Sequence, residues 1–193
     1  MVENKLGVTP LPGSFILQTQ PFRDGCVIHY ETFGRTPDNP FTTLWSSSSN
    51  PFNLGRTATH EVGHWLNLFH IWGKFMSGVL VCTDGDQVGD TPNQAVPYSG
   101  CPSHPQTSCL SKDMFMNYMD FTDDVCMNLF TKGQRDRMWS LFGTGGFRES
   151  ILSSHGARPI SQITTLTQVS TGSVYLNWTY LQDIPFHLIL LFV

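Results

Sequence analysis

Between Arg56 and Leu68 apolar residues recur at helical spacing, with Val62, Trp65 and Leu66 on one side and Leu68 and Phe69 at the exit. The pattern predicts an amphipathic helix. A second helix is predicted where Thr131-Lys-Gly-Gln134 offers a capping box ahead of Met138, Leu141 and Phe142, and Gly143 to Gly146 ends it. Elsewhere the periodicity is weak. The first 55 residues are rich in Pro, Gly, Ser and Asn and carry one clear strand pattern, Gly25 to Tyr30; Ser46 to Asn50 is a polar loop closed by Pro51. Residues 71–113 read mostly as loop, with an acidic segment from Asp84 to Thr91. From Pro159 the texture changes to Ser/Thr-rich alternation, as in Thr171 to Thr179, which predicts β-strand in a separate module. The expected division is 1–158 and 159–193, with no internal repeat.

The 193 residues suit one domain of ordinary size with a small appendage. Lys+Arg of 11 against Asp+Glu of 15 leaves a formal net charge of -4, so there is no electrostatic footprint for nucleic acid. No stretch approaches the roughly 18 apolar residues of a spanning helix, so membrane insertion is not expected. An apolar content of 40%, including five Trp and 14 Phe, is enough for a packed core and argues against disorder. Met1 to Gly7 leads into Pro10 and Pro12 without the apolar run of a signal peptide.

The five cysteines are Cys26, Cys82, Cys101, Cys109 and Cys126. They include no CxxC pair, which argues against a cysteine zinc site. Four clustered residues and one outlier read as two disulfides and a spare thiol, and disulfides imply an oxidising compartment.

The chemistry concentrates in residues 60–70, His-Glu-Val-Gly-His-Trp-Leu-Asn-Leu-Phe-His. His60 and His64 are four apart, so on a helix both imidazoles face one way and can share a metal ion. Glu61 is offset beside that ion, where a carboxylate can take a proton from water. His70 discriminates further. On a continuous helix it would lie roughly 15 Å from His60 along the axis, whereas zinc–nitrogen bonds are about 2 Å. The chain must therefore leave the helix after His64 and turn back, and Asn67 suits the turn because Asn tolerates the left-handed conformation. Three core histidines and a glutamate packed this closely without a metal would each need a buried partner.

The His-Glu-x-x-His-x-x-x-x-x-His pattern resembles the metzincin zinc peptidases. The surrounding sequence narrows the resemblance to their pappalysin branch, the cytophagalysin-like, M43-type enzymes. The matching stretches are Gly55 to His60, Asp86-Gln-Val-Gly-Asp-Thr-Pro92, Asp113 to Asp120, Thr122 to Met127 and Thr131 to Met138, within residues 25 to 157. The resemblance implies an α+β catalytic domain built on a zinc helix, with His60, His64 and His70 as zinc ligands and Glu61 as general base. It implies Met119 as the Met-turn methionine beneath the metal, and Cys82–Cys109 and Cys101–Cys126 as disulfides that staple the long loop region; Cys26 is then a buried thiol. For the acidic loop two readings stay open. Asp84, Asp86 and Asp90 are solvated turn residues, or the loop binds calcium through Asp86, Val88 and Thr91, which the family pattern favours. By the resemblance Asp124 corresponds to a position near the S1′ pocket, where it would favour a basic substrate residue, or it is a helix-flanking surface acid.

Two features depart from the family. The position two after Met119 is usually Tyr and is here Phe121, removing a hydroxyl donor to the transition-state oxyanion and implying reduced turnover. The catalytic sheet is short, with only Leu6 to Pro12 and Gly25 to Tyr30 ahead of the zinc helix, and the β-rich end resembles the opening of a fibronectin-type-III-like module that stops in an apolar run. The chain is thus expected to be a fragment of a larger secreted protein, acting outside the cell on protein or peptide substrates, with its oligomeric state undetermined. The expected activity is zinc-dependent endopeptidase. Its rivals are a catalytically silent metal-binding fragment and a gluzincin-like site with Asp84 as third ligand, although gluzincins use Glu and the nearest downstream Glu is Glu149.

Overall fold

The computed structural model describes residues 5–35, 50–73, 82–83 and 85–154, together with the backbone of three later strands. The architecture mixes helices with small sheets. Strand β1 (Gly7–Val8) leads through a short helix α1 (Phe15–Thr19) to β2 (Val27–Ile28), and the two strands pair antiparallel with Gly7 opposite Ile28. The strand predicted over Gly25 to Tyr30 is thus shorter than its pattern, because the chain turns into a 3₁₀ helix at Tyr30–Thr32. Helix α2 (Arg56–Trp65) follows, then the β3–β4 hairpin (Thr107–Ser108 and Ser111–Lys112) and helix α3 (Lys132–Ser140). Later, β5 (Thr165–Ser170) and β6 (Ser173–Asn177) form an antiparallel hairpin, and β7 (Leu191–Phe192) pairs in parallel with β2. The polar loop at Ser46 to Ser49 and Asp84 lie outside the described residues.

Helix α3 begins as its capping box predicts. The Thr131 hydroxyl accepts the Gln134 amide at 3.1 Å, and Gln134 Oε1 accepts the Thr131 amide at 2.9 Å. Gln134 does more than cap. Its amide exchanges two hydrogen bonds with Asn117, at 2.8 and 3.1 Å, and both side chains are fully buried. Asn117 Oδ1 also accepts the Met119 amide at 2.9 Å. A buried amide pair left half-satisfied would cost about 1–3 kcal/mol, so this closed network pins the chain around Met119 to α3.

The long segment from residue 85 to 126 has little regular structure and is held by covalent and polar ties. Cys82 is bonded to Cys109 and Cys101 to Cys126; Cys26 is a free, buried thiol. Asp120 accepts bonds from the Gln94 side chain at 2.8 Å, the Tyr98 amide at 2.9 Å and the Phe121 amide at 2.8 Å. Asp113 accepts the Tyr98 hydroxyl at 2.7 Å and the Ser108 hydroxyl at 2.9 Å. Burial pushes the Asp120 carboxyl up to about 6 against the effect of these donors.

Candidate metal centre

Helix α2 is fixed at both ends. At its start, Asp124 Oδ2 accepts the Leu54 amide at 2.8 Å and the Arg56 amide at 3.1 Å. Asp124 is buried, so it is not the surface acid that one reading expected; it caps α2, where a carboxylate complements the helix dipole.

At the other end the helix stops as the three-histidine spacing requires. The Leu68 amide bonds back to the Gly63 carbonyl at 2.9 Å and the Asn67 amide to His64 at 2.9 Å. Asn67 has φ 69°, the left-handed residue of a Schellman motif. From α3, Arg137 Nε donates to the Asn67 carbonyl at 2.7 Å, and its guanidinium lies 4.6 Å over the Phe69 ring. The reversal turns His70 back over α2.

The three imidazoles converge. His64 Nε2 lies 3.0 Å from His70 Nε2, which lies 3.2 Å from His60 Nε2. Two zinc–nitrogen bonds of about 2.0–2.1 Å at the tetrahedral angle place their nitrogens about 3.3 Å apart, so the cluster has the dimensions of a zinc ligand set. The outward nitrogens are engaged: His60 Nδ1 lies 2.7 Å from the Tyr118 carbonyl and His64 Nδ1 2.8 Å from the Leu68 carbonyl. A carbonyl can only accept, so each Nδ1 carries the proton and each Nε2 offers its lone pair inward. Burial lowers all three imidazoles from the ordinary histidine range, His60 to about 3 and His70 to about 2, which keeps them neutral as metal ligation demands.

Met119 is fully buried, its sulfur against Gly63 of α2, one residue before His64. Beside it, the Ile71 amide donates to the Met119 carbonyl at 3.3 Å. His70 stacks on the buried Trp72 with centroids 4.4 Å apart, and Phe121 packs edge-on to His70 at 4.9 Å and to Trp72 at 4.7 Å.

Glu61 is buried next to the cluster, and its Oε2 has no hydrogen-bond partner among the described residues. Burial pushes its carboxyl up to about 7, opposed in part by the nearby Thr9 hydroxyl and the Lys5 charge. A buried carboxylate oxygen without a partner among the described residues, on the helix that presents two inward lone pairs to His70, is the donor set that a metal and its water would complete.

In the acidic loop Asp86, Val88 and Thr91 come together. Asp86 Oδ1 accepts the Val88 amide at 3.1 Å and lies 2.6 Å from the Thr91 hydroxyl, which is 2.7 Å from the Val88 carbonyl. Asp86 Oδ2 is buried and has no hydrogen-bond partner among the described residues. Asp90 turns away to cap α3, accepting the Thr131 hydroxyl at 2.7 Å and the Gly133 amide at 2.8 Å.

Several contributors to the centre escape a sequence reading. Arg137, Asn117 and the Tyr118 carbonyl act through distant partners, and only the capping box at Thr131–Gln134 hinted that α3 begins against something fixed.

Comparison with known proteins finds relatives among extracellular metalloproteases. An extracellular metalloprotease of Arthroderma benhamiae is 41% identical over 145 residues, 72% of this chain and 48% of that protein. One from Podospora anserina is 45% identical over 138 residues, 69% of this chain and 40% of the relative. The structure of mature mirolysin from Tannerella forsythia, solved with a cleaved peptide, matches with a TM-score of 0.65 and 49% identity over 77% of this chain and 52% of that one. The chain thus spans about half the length of the relatives it matches. The family model for peptidase M43, described as pregnancy-associated plasma protein-A, matches residues 40–142, and the chain belongs to that family.

Proposed function

We propose that this chain carries the catalytic centre of a secreted zinc endopeptidase, with His60, His64 and His70 holding the metal and Glu61 acting as general base. The observation that carries the reading is the convergence of the three Nε2 atoms on a helix that also carries the buried Glu61, whose Oε2 has no hydrogen-bond partner among the described residues. Zinc bound there supplies Lewis acidity toward the scissile carbonyl and the attacking water. Glu61 takes the proton from that water and returns it to the leaving amine. Met119 forms the apolar floor. Phe121 contributes an aromatic wall and no hydroxyl, so the oxyanion has one donor fewer than in relatives with Tyr there; Phe121→Tyr is expected to raise kcat, and no gain would count against this role.

The extracellular setting is supported by the relatives' names and the two disulfides. For Asp124 we favour the capping role over the substrate pocket, because pairing with a basic substrate residue would have to share a carboxylate whose Oδ2 already holds two amides. For the acidic loop we propose calcium, supported by oxygens of Asp86, Val88 and Thr91 within hydrogen-bonding distance and by the partnerless Asp86 Oδ2. Calcium should then raise the thermal midpoint of the parent and not of Asp86→Ala.

The direct test is hydrolysis of a quenched peptide library by the zinc-loaded chain beside Glu61→Ala. Cleavage that disappears in the variant supports the enzyme. Zinc without cleavage in the parent would favour the silent metal-binding alternative.

A further inference from the structure

Strand β1 runs against the Glu61 side chain. A Cβ added at Gly7 would lie 2.6 Å from Glu61 Cγ, 2.7 Å from Oε1 and 2.8 Å from Cδ. Non-bonded carbons prefer about 3.5–4.0 Å, so a side chain at position 7 and the present Glu61 rotamer cannot coexist.

The backbones on either side are held. Gly7 and Val8 pair with Ile28 and Val27. The Leu6 carbonyl accepts the His29 amide at 2.8 Å and the Thr32 hydroxyl at 3.3 Å, and Ile28 and Thr32 are buried. On the helix side, His60 is tied to the Tyr118 carbonyl and Gly63 rests on Met119. Strand and helix are both tied through their backbones or packing, and the atoms in the way belong to a flexible side chain, so the part that yields is the Glu61 carboxylate.

We infer that Gly7 is a positioning residue for the catalytic base: its missing side chain leaves the slot that seats the Glu61 carboxylate, and any larger residue displaces it. The role of Gly7 in catalysis rests on the reading of Glu61 as general base; the contact between the two positions does not. Misplacing a reacting group by about 1 Å can cost on the order of 10²-fold in rate. A methyl group at position 7 is therefore expected to act on turnover while the three imidazoles stay in place.

The test uses the full zinc-loaded chain, Gly7→Ala, Glu61→Ala and the double variant. In peptide hydrolysis, Gly7→Ala should lower kcat by about tenfold or more, with zinc content and KM unchanged. In thermal unfolding, Gly7→Ala should lower the midpoint in the parent, and the drop should shrink by at least about half in the Glu61→Ala background, where Cγ, Cδ and Oε1 are gone. If Gly7→Ala alone does not fold, a double variant that folds shows the same relief, and one that fails equally overturns the inference. Additive thermal shifts, or a Gly7→Ala chain with the parent's kcat, overturn it too. A parent that cleaves nothing overturns the protease reading itself, whereas additivity in an active parent removes only the role of Gly7.

Discussion

The sulfur of Met119 lies 2.5 Å from where a Cβ on Gly63 would sit, so the helix that carries His60 and His64 rests on Met119 only because residue 63 has no side chain. In an open helix interior, Gly→Ala stabilises by about 1 kcal/mol. Here the added methyl meets a fully buried sulfur flanked by Leu68, and overpacking of that kind costs about 1–3 kcal/mol. Packing should win. Gly63→Ala is expected to lower the thermal midpoint of the parent, and to lower it less when introduced into Met119→Ala; a raised midpoint in Gly63→Ala would show that the contact has room to relax.

Asn67 should tolerate Gly and resist Ala. Its φ of 69° lies in the left-handed region, where an ordinary residue costs roughly 1–2 kcal/mol. Chemical denaturation should place Asn67→Ala about 1 kcal/mol or more below the parent, with Asn67→Gly within a few tenths. Because this turn delivers His70, zinc affinity should fall in the same order. Equal affinity in all three chains would separate the turn from the metal site.

In the metal-free chain, Glu61 makes stability fall as pH rises. Its carboxyl is raised from 4.5 to about 7 by burial, so its contribution is fully present below about pH 4.5 and lost as pH rises through about 7. The difference amounts to at most about 3 kcal/mol. Glu61→Gln should therefore match the chelated parent near pH 4.5 and exceed it at pH 8. A parent that is the more stable of the two at pH 8 would mean that the ionised carboxylate has a partner inside the fold.

Arg148 joins regions far apart in sequence. Its guanidinium forms a two-pronged ion pair with Asp24, donates to the Trp65 carbonyl at 3.2 Å and lies 3.7 Å over the Trp65 ring, whose Nε1 donates to Asp24 at 3.0 Å. Arg148 is only 3% exposed. Removing one partner of a buried pair typically costs about 3–5 kcal/mol because the other charge is stranded. Arg148→Met should show a loss of that size by denaturant titration, and Arg148→Met with Asp24→Leu should lose markedly less. Equal losses would mean that the Trp65 contacts, and not the charge pair, carry the stability.

What could be read in the sequence was local. The shared face of His60 and His64 follows from the helical period, the break before His70 from the length of a metal bond, and the turn at Asn67 from residue chemistry. The capping box at Thr131 and Gln134 is similarly contained within four residues. What could not be read depends on pairs far apart in the chain: Asp124 capping α2, Arg137 closing the Asn67 turn, Arg148 on Asp24, and Gly7 against Glu61. None of these has a periodicity, and each is an ordinary residue until the chain brings its partner to it. The sequence pattern also overstated β2, where a strand expected over six residues is two residues long and the chain turns into a 3₁₀ helix at Tyr30.

The convergence of three imidazoles on one metal is most directly tested by zinc K-edge absorption on the full chain. We expect one zinc per chain with three nitrogen neighbours at about 2.0–2.1 Å, falling to two in His70→Ala. A sulfur-containing shell, or three nitrogens retained in His70→Ala, would contradict the assignment of His60, His64 and His70.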